Sequence, residues 1–180
     1  MRKSDRRAFL LIVLLTASVS VGAAAGLTVS TLTRDGEVLI SLELAGAYTE
    51  DLRSAIQSGL QTTLEYDVRL RREAAFWPDS TVGSATVSAT VRYDSLNEQY
   101  NLARMVDGRV EETVIANDES QIEALLTQFE RVPLFNTGDL EPNANYRVQV
   151  RVERRPRDGW FLLPWARAWA YGAAQFTYLP

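Results

Sequence analysis

Four carboxylates are the first residues to test for chemistry: Glu65, Asp67, Asp94 and Glu98. Two facing acids can hydrolyse a glycosidic bond when their surroundings push the two pKa values apart, one donating a proton and the other acting as nucleophile or base. This is the one common enzyme class that the composition leaves open. The chain has 180 residues with 0 Cys and 0 His, and Lys3 is its one lysine. An ordinary zinc or haem site, or a Ser-His or Cys-His nucleophile, has no residues to build on. Schiff-base chemistry and a P-loop fail for want of a lysine beyond position 3. Alternation puts Glu65 and Asp67 on the wet face of a strand and Glu98 in a turn. Nothing there marks a raised pKa, so no catalytic, cofactor or metal-binding residue is assigned.

Other groups bear on binding. Arg69, Arg71 and Arg72 lie in one alternating segment, Arg147 and Arg151 in another, and Arg154, Arg155 and Arg157 follow. If the two segments are neighbouring strands, Arg69, Arg71, Arg147 and Arg151 form a ridge able to hold carboxylates or phosphates bidentately. Anionic lipid headgroups or an acidic partner would suit it. The plainer reading pairs these arginines with Glu65, Asp67, Glu73 and Glu153 as a solvated face. A second group is aromatic: Trp160, Phe161, Leu163, Trp165, Arg167 and Trp169 hold three of the four tryptophans. An exposed apolar loop carrying Trp and Arg suits a membrane interface or a protein partner. The plainer reading folds it back to close one end of the core. A third expectation is internal. Small residues facing inward leave room for an apolar ligand unless Tyr66, Phe129, Phe135 and Tyr146 fill the space.

The elements that must position these groups are strands. From Val82 to Asp94, Gly83, Ala85, Val87, Ala89, Val91 and Tyr93 share one parity, and polar residues occupy the other. A strand turns successive side chains to opposite faces, so this run has one buried and one wet face. Its small inward residues require bulky neighbours opposite. Leu60–Arg71 and Tyr146–Glu153 alternate in the same way. Leu27–Thr33 and Val38–Leu44 flank Asp35-Gly36, and Gln99–Val106 and Val110–Ala116 flank Asp107-Gly108, both strong hairpin signals. Thr49 predicts the N-cap of a short helix ending near Gly59 that plugs one end of the sheet. Asp118 and Gln121 predict a second helix, with Ile122, Leu125, Leu126 and Phe129 as its apolar stripe. Val132–Phe135 then leads through a polar loop to the strand at Tyr146, and Ala173–Leu179 makes a last strand. The fold class is mainly β: an antiparallel sandwich or partly open barrel of about seven or eight strands with two short helices.

Residues 1–25 read as a targeting segment. Arg2, Lys3, Arg6 and Arg7 form a basic end, Ala8–Val21 is apolar or small, and Ala23-Ala24-Ala25 offers a small-x-small cleavage site using Ala23 and Ala25. An ordinary secretory signal is the simplest reading. Asp5-Arg6-Arg7-Ala8-Phe9-Leu10 also resembles the twin-arginine consensus, and residues 8–26 are just long enough for an uncleaved membrane anchor. All three readings put residues 26–180, a single domain, outside the cytoplasm: periplasmic, secreted, or held at the inner membrane. Removing residues 1–25 leaves 15 of the 19 basic residues and 22 of the 23 acidic ones, a net charge of −7. So acidic a body argues against nucleic-acid binding.

The segments L-R-S-A-I-Q-S-G-L-Q-T-T-L-E-Y-D-V-R-L-R-R (52–72), A-T-V-R-Y-D-S-L-N-E-Q-Y-N-L-A-R (89–104) and L-E-P-N-A-N-Y-R-V-Q-V-R (140–151) resemble the bacterial domain of unknown function 4390. The resemblance covers nearly all of the chain after residue 25. It implies an exported bacterial protein with no assigned reaction and no defined catalytic residue. Some members lie near genes for sensor kinases of the nitrogen-regulation type, which implies an accessory role by association alone. The resulting expectation is a non-enzymatic envelope protein that binds another envelope protein or a membrane surface through its aromatic segment. A carrier of an apolar ligand and a carboxylate-based glycan hydrolase remain as alternatives.

Overall fold

The structure, a computed structural model, describes residues 26–74, 79–156 and 170–179, with side chains omitted at 154–156. Among the described residues the chain forms nine strands and two α-helices. One sheet has three strands, in the order β1 (Gly26–Arg34), β2 (Glu37–Ala45), β7 (Gln128–Asn136). The other has six: β6 (Arg109–Ala116), β5 (Gln99–Val106), β4 (Ser80–Asp94), β3 (Thr62–Arg72), β8 (Asn145–Pro156) and β9 (Ala170–Thr177). Every ladder is antiparallel. The mainly β, antiparallel expectation holds, and the ladders do not close into a barrel.

Both Asp-Gly hairpins form as the residues demand. Asp35 and Gly36 have φ of 52° and 81°, Asp107 and Gly108 of 47° and 78°. That left-handed pair is the two-residue turn whose twist matches the flanking strands. The inward parity of each strand supplies the core: Val38, Ile40, Leu42 and Leu44 of β2 face Leu64, Tyr66, Val68 and Leu70 of β3, with Val87, Ala89 and Val91 of β4 and Val148, Val150 and Val152 of β8. Each fully buried side chain of this kind contributes roughly 1.5–3 kcal/mol. The bulky neighbour needed opposite Gly83 is Phe135 of β7, whose ring lies 2.8 Å from where a Cβ at position 83 would stand.

The helices α1 (Glu50–Gln57) and α2 (Glu119–Thr127) pack against β4. Thr49 Oγ1 accepts from the Leu52 N–H at 3.3 Å, and Asp118 Oδ1 from the Ser120 N–H at 3.0 Å, capping both N-termini. At the end of α1 the Gly59 N–H donates to the Ile56 carbonyl and the Leu60 N–H to that of Ala55, a Schellman closure. The helices join through Glu119, which accepts from the Tyr48 hydroxyl at 3.0 Å and pairs with Arg53 Nε at 2.6 Å.

Three elements differ from the sequence expectation. Leu60 precedes β3 and is 51% exposed, because the Schellman closure ends the helix there and turns the chain. α2 stops at Thr127, and Val132–Phe135, to which the sequence assigns no element, lies within β7. Phe129 is buried from a strand instead of a helix. The reason is β2: its second edge needs a partner, and the aromatic and β-branched run after Thr127 supplies one. The last strand begins at Ala170, not Ala173.

Candidate functional site

The register of the six-stranded sheet brings the expected arginines together. On the outer face β3 and β8 are neighbours, with Arg71 opposite Arg147, Arg69 opposite Gln149, Asp67 opposite Arg151 and Glu65 opposite Glu153. β9 adds Gln175 beside Arg147 and Tyr171 beside Arg151. The arginines are partly engaged. Arg147 pairs with Glu73 at 2.6 Å, Arg71 donates to the Asp79 carbonyl at 2.7 Å, and Arg151 lies 3.7 Å from Glu153. Arg72 points off this row and pairs with Glu141. Asp67, Arg69, Gln149, Arg151 and Tyr171 line a shallow depression of about 100 Å³.

The carboxylates chosen for hydrolysis separate. Glu65 and Asp67 sit on that open sheet face, while Asp94 and Glu98 belong to the β4–β5 turn. Asp94 accepts from the Asn97 side chain at 2.8 Å and from the Leu96 N–H at 3.0 Å. The Asn97 bond, helped by the Leu96 N–H, holds this carboxyl below its usual range. Asp94 fastens a turn. Sequence reasoning did not anticipate that Glu153 stands opposite Glu65, because register between distant strands is not written locally.

The interior is filled by rings. Tyr66 and Phe129 meet edge to face at 5.1 Å between centroids, Tyr146 stacks on Phe176 at 5.6 Å, and Phe135 occupies the space at Gly83. Another depression lies outside the core, on the three-stranded sheet. It measures about 400 Å³ and is lined by Thr28, Ser30, Ser41, Glu43, Glu130 and Arg131 among others. β7 bulges there, with Arg131 at φ 50° and its N–H donating to Ser41 Oγ at 3.0 Å. No signal in the sequence marks that bulge.

The last feature is an end of the sandwich. Gly172 of β9 faces inward, and a Cβ on it would lie 2.7 Å from the Leu27 carbonyl oxygen of β1. The chain therefore enters β1 close to where it enters β9. Ala23 and Ala25, and Trp160, Phe161, Leu163, Trp165, Arg167 and Trp169, lie outside the described residues. The segments holding them join at Gly26 on one side and at Pro156 and Ala170 on the other.

Fold and site together define an antiparallel two-sheet domain with a charged outer face and a packed interior. A family model, Domain of unknown function (DUF4390), matches residues 27–158, and the chain belongs to that family. No curated protein and no solved structure matches it.

Proposed function

We propose that the protein works outside the cytoplasm as a non-enzymatic binding module, with its working surface at the end of the sandwich where residues 1–25 and 157–169 both attach. The contact between Gly172 and the Leu27 carbonyl carries this reading. It leaves Gly26 and Ala170 within about 15 Å of each other, at 3.3–3.6 Å per extended residue. One segment is basic and then apolar; the other holds Trp160, Phe161, Leu163, Trp165, Arg167 and Trp169. Tryptophan and arginine have an apolar body and a polar tip, the combination favoured at a bilayer headgroup layer and at the centre of a protein interface. An anchor or a freshly exported N-terminus at Gly26 would present the aromatic segment to the same membrane or to a partner in it. The absence of His and Cys supports a binding role. The ring-filled interior supports a packed module over a carrier.

The test is a triple substitution, Trp160, Phe161 and Trp165 to Ser, in the full chain in cells, with a photo-cross-linking residue at position 169. Membrane retention and cross-linked adducts should fall together while the thermal unfolding midpoint of the domain stays put. Undiminished association in the triple variant would sink the reading.

A further inference from the structure

On the outer face of the six-stranded sheet Glu65, Asp67, Glu73 and Glu153 match Arg69, Arg71, Arg147 and Arg151 in number, but three of the arginines gather at one end. Arg71 of β3 and Arg147 of β8 are direct cross-strand partners, and Arg69 lies two residues along β3 on the same face. Like charges opposed across a ladder destabilise it, and long side chains on the diagonal also come within reach. The counter-charge there falls short. Glu73 takes Arg147 at 2.6 Å, and the same carboxylate oxygen accepts from Gln175 Nε2 at 2.7 Å. Arg71 gives its Nη2 to a neutral carbonyl, that of Asp79. Arg69 is exposed, with no ion pair or side-chain hydrogen bond among the described residues. Among the described residues these three guanidiniums share one carboxylate, and the buried Nε–H groups of Arg71 and Arg147 have no acceptor. In the next row Asp67 stands opposite Arg151, which also lies 3.7 Å from Glu153. Ser84 and Gln149, on either side of Arg69, carry no charge. All this occurs in a chain whose formal net charge is −4.

We propose that Arg69, Arg71 and Arg147 form a binding site for a phosphate monoester. At that end the three arginines exceed Glu73 by two charges, and such a group carries about −1.5 to −2 near neutral pH with three acceptor oxygens. Guanidinium forks match those oxygens in a way that a point charge does not. Arg71 and Arg147 are preorganised by Asp79 and Glu73, which lowers the ordering cost of binding. Arg69, exposed beside them, completes the site. Ser84 and Gln149 add neutral donors at its rim. The monoester could sit on a soluble molecule or on a lipid headgroup, and the chemistry of recognition is the same.

The experiment titrates inorganic phosphate into the full chain at constant ionic strength, with chloride as the reference, and follows the arginine Nε–H resonances. Phosphate should shift those of Arg71 and Arg147 saturably where chloride does not. Arg69→Gln should weaken binding at least about fivefold, the scale of one lost charge-assisted contact. Its unfolding midpoint should not move, since Arg69 has no partner among the described residues to lose. Arg109→Gln, at an exposed position on β6, should bind as the unaltered chain does. Co-sedimentation with phosphatidylcholine vesicles, with and without phosphatidate, separates the two sources. Retention that depends on phosphatidate and is lost in Arg69→Gln assigns the site to a lipid headgroup. Saturable phosphate binding without that retention assigns it to a soluble ester. Shifts that chloride reproduces, or equal weakening by Arg69→Gln and Arg109→Gln, overturn the site.

Discussion

Arg104 ties β5 to α2, β6 and β7. From β5 its Nε donates to the Leu125 carbonyl at 2.9 Å and its Nη2 to that of Gln128 at 2.5 Å, with the guanidinium 4.7 Å from the Phe129 ring centroid. The last carbonyls of a helix have no partner within it. α2 runs straight into β7, so side chains from the sheet serve instead: Arg104 takes Leu125, and the Tyr66 hydroxyl donates to Leu126 at 2.8 Å. Arg104→Met should cost about 2–3 kcal/mol in urea unfolding, because it leaves half-buried carbonyls bare. Lysine, lacking the fork, should recover less than half of that. Tyr66→Phe should cost about 1 kcal/mol for its one hydrogen bond. Burial pushes the Tyr66 phenol above its ordinary value. The folded state then keeps the proton where the unfolded chain has lost it. That stability is complete below about pH 10 and declines as pH rises further. Stability followed from pH 9 upward should therefore fall less steeply in Tyr66→Phe than in the unaltered chain. Equal slopes would remove Tyr66 from the alkaline limb.

Between elements, two glycines set how closely strands approach, and they differ in what lies opposite. A Cβ at Gly172 would lie 2.7 Å from the Leu27 carbonyl oxygen and 2.7 Å from a Val29 methyl. Backbone cannot step aside without lifting β1 from β9. At Gly83 the obstacle is the half-buried Phe135 ring, which can turn. Gly172→Ala should cost about 2–3 kcal/mol and Gly83→Ala about 1. Urea midpoints in the reverse order would contradict this account of the β1–β9 contact. At the other side of the same sheet, β6 is an outer strand with Val110 and Ile115 each 62% exposed. An open edge invites pairing with another chain, and charges or bulges on it discourage that. The register slips where β6 carries the additional residue Glu111, between Glu112 opposite Arg104 and Val110 opposite Met105. Glu111→Val removes one of the three charges on that edge strand, at the bulge. Its stability should stay within about 0.5 kcal/mol, while light scattering reports self-association at concentrations where the unaltered chain is monodisperse.

For the whole molecule, the last strand matters more than its position suggests. The family match ends at residue 158, and β9 spans Ala170–Thr177. Yet β9 pairs along its whole length with residues Asn145–Val152 of β8, stacks Phe176 on Tyr146 and lays Gly172 on β1. A chain ended at residue 158 would expose the edge of β8 and uncover one side of the core. It should lose cooperative unfolding by near-ultraviolet circular dichroism and bind a hydrophobic dye. A sharp two-state transition in that shortened chain would show that β9 is dispensable. The topology also joins strands far apart in sequence, β3 with β8 and β2 with β7. Loop closure must precede such contacts, so folding in milliseconds to seconds is expected by stopped flow.

Local chemistry was enough, in the sequence alone, to determine the strands that alternate, both Asp-Gly hairpins, the Thr49 and Asp118 caps and the buried side of β2, β3, β4 and β8. Those features depend on residues within one element, where side-chain period and turn dihedrals are dictated by near neighbours. The shared face of Arg69, Arg71, Arg147 and Arg151 was legible only as a condition on β3 and β8 being adjacent. Which strands pair, and in what register, depends on the best joint burial of all the inward faces. That choice placed Glu153 opposite Glu65, turned Val132–Phe135 into the partner of β2, and set Phe135 into the hollow at Gly83. It also brought the start of β1 beside the start of β9. These are decisions of the packed interior, taken between residues tens of positions apart, and no local pattern contains them.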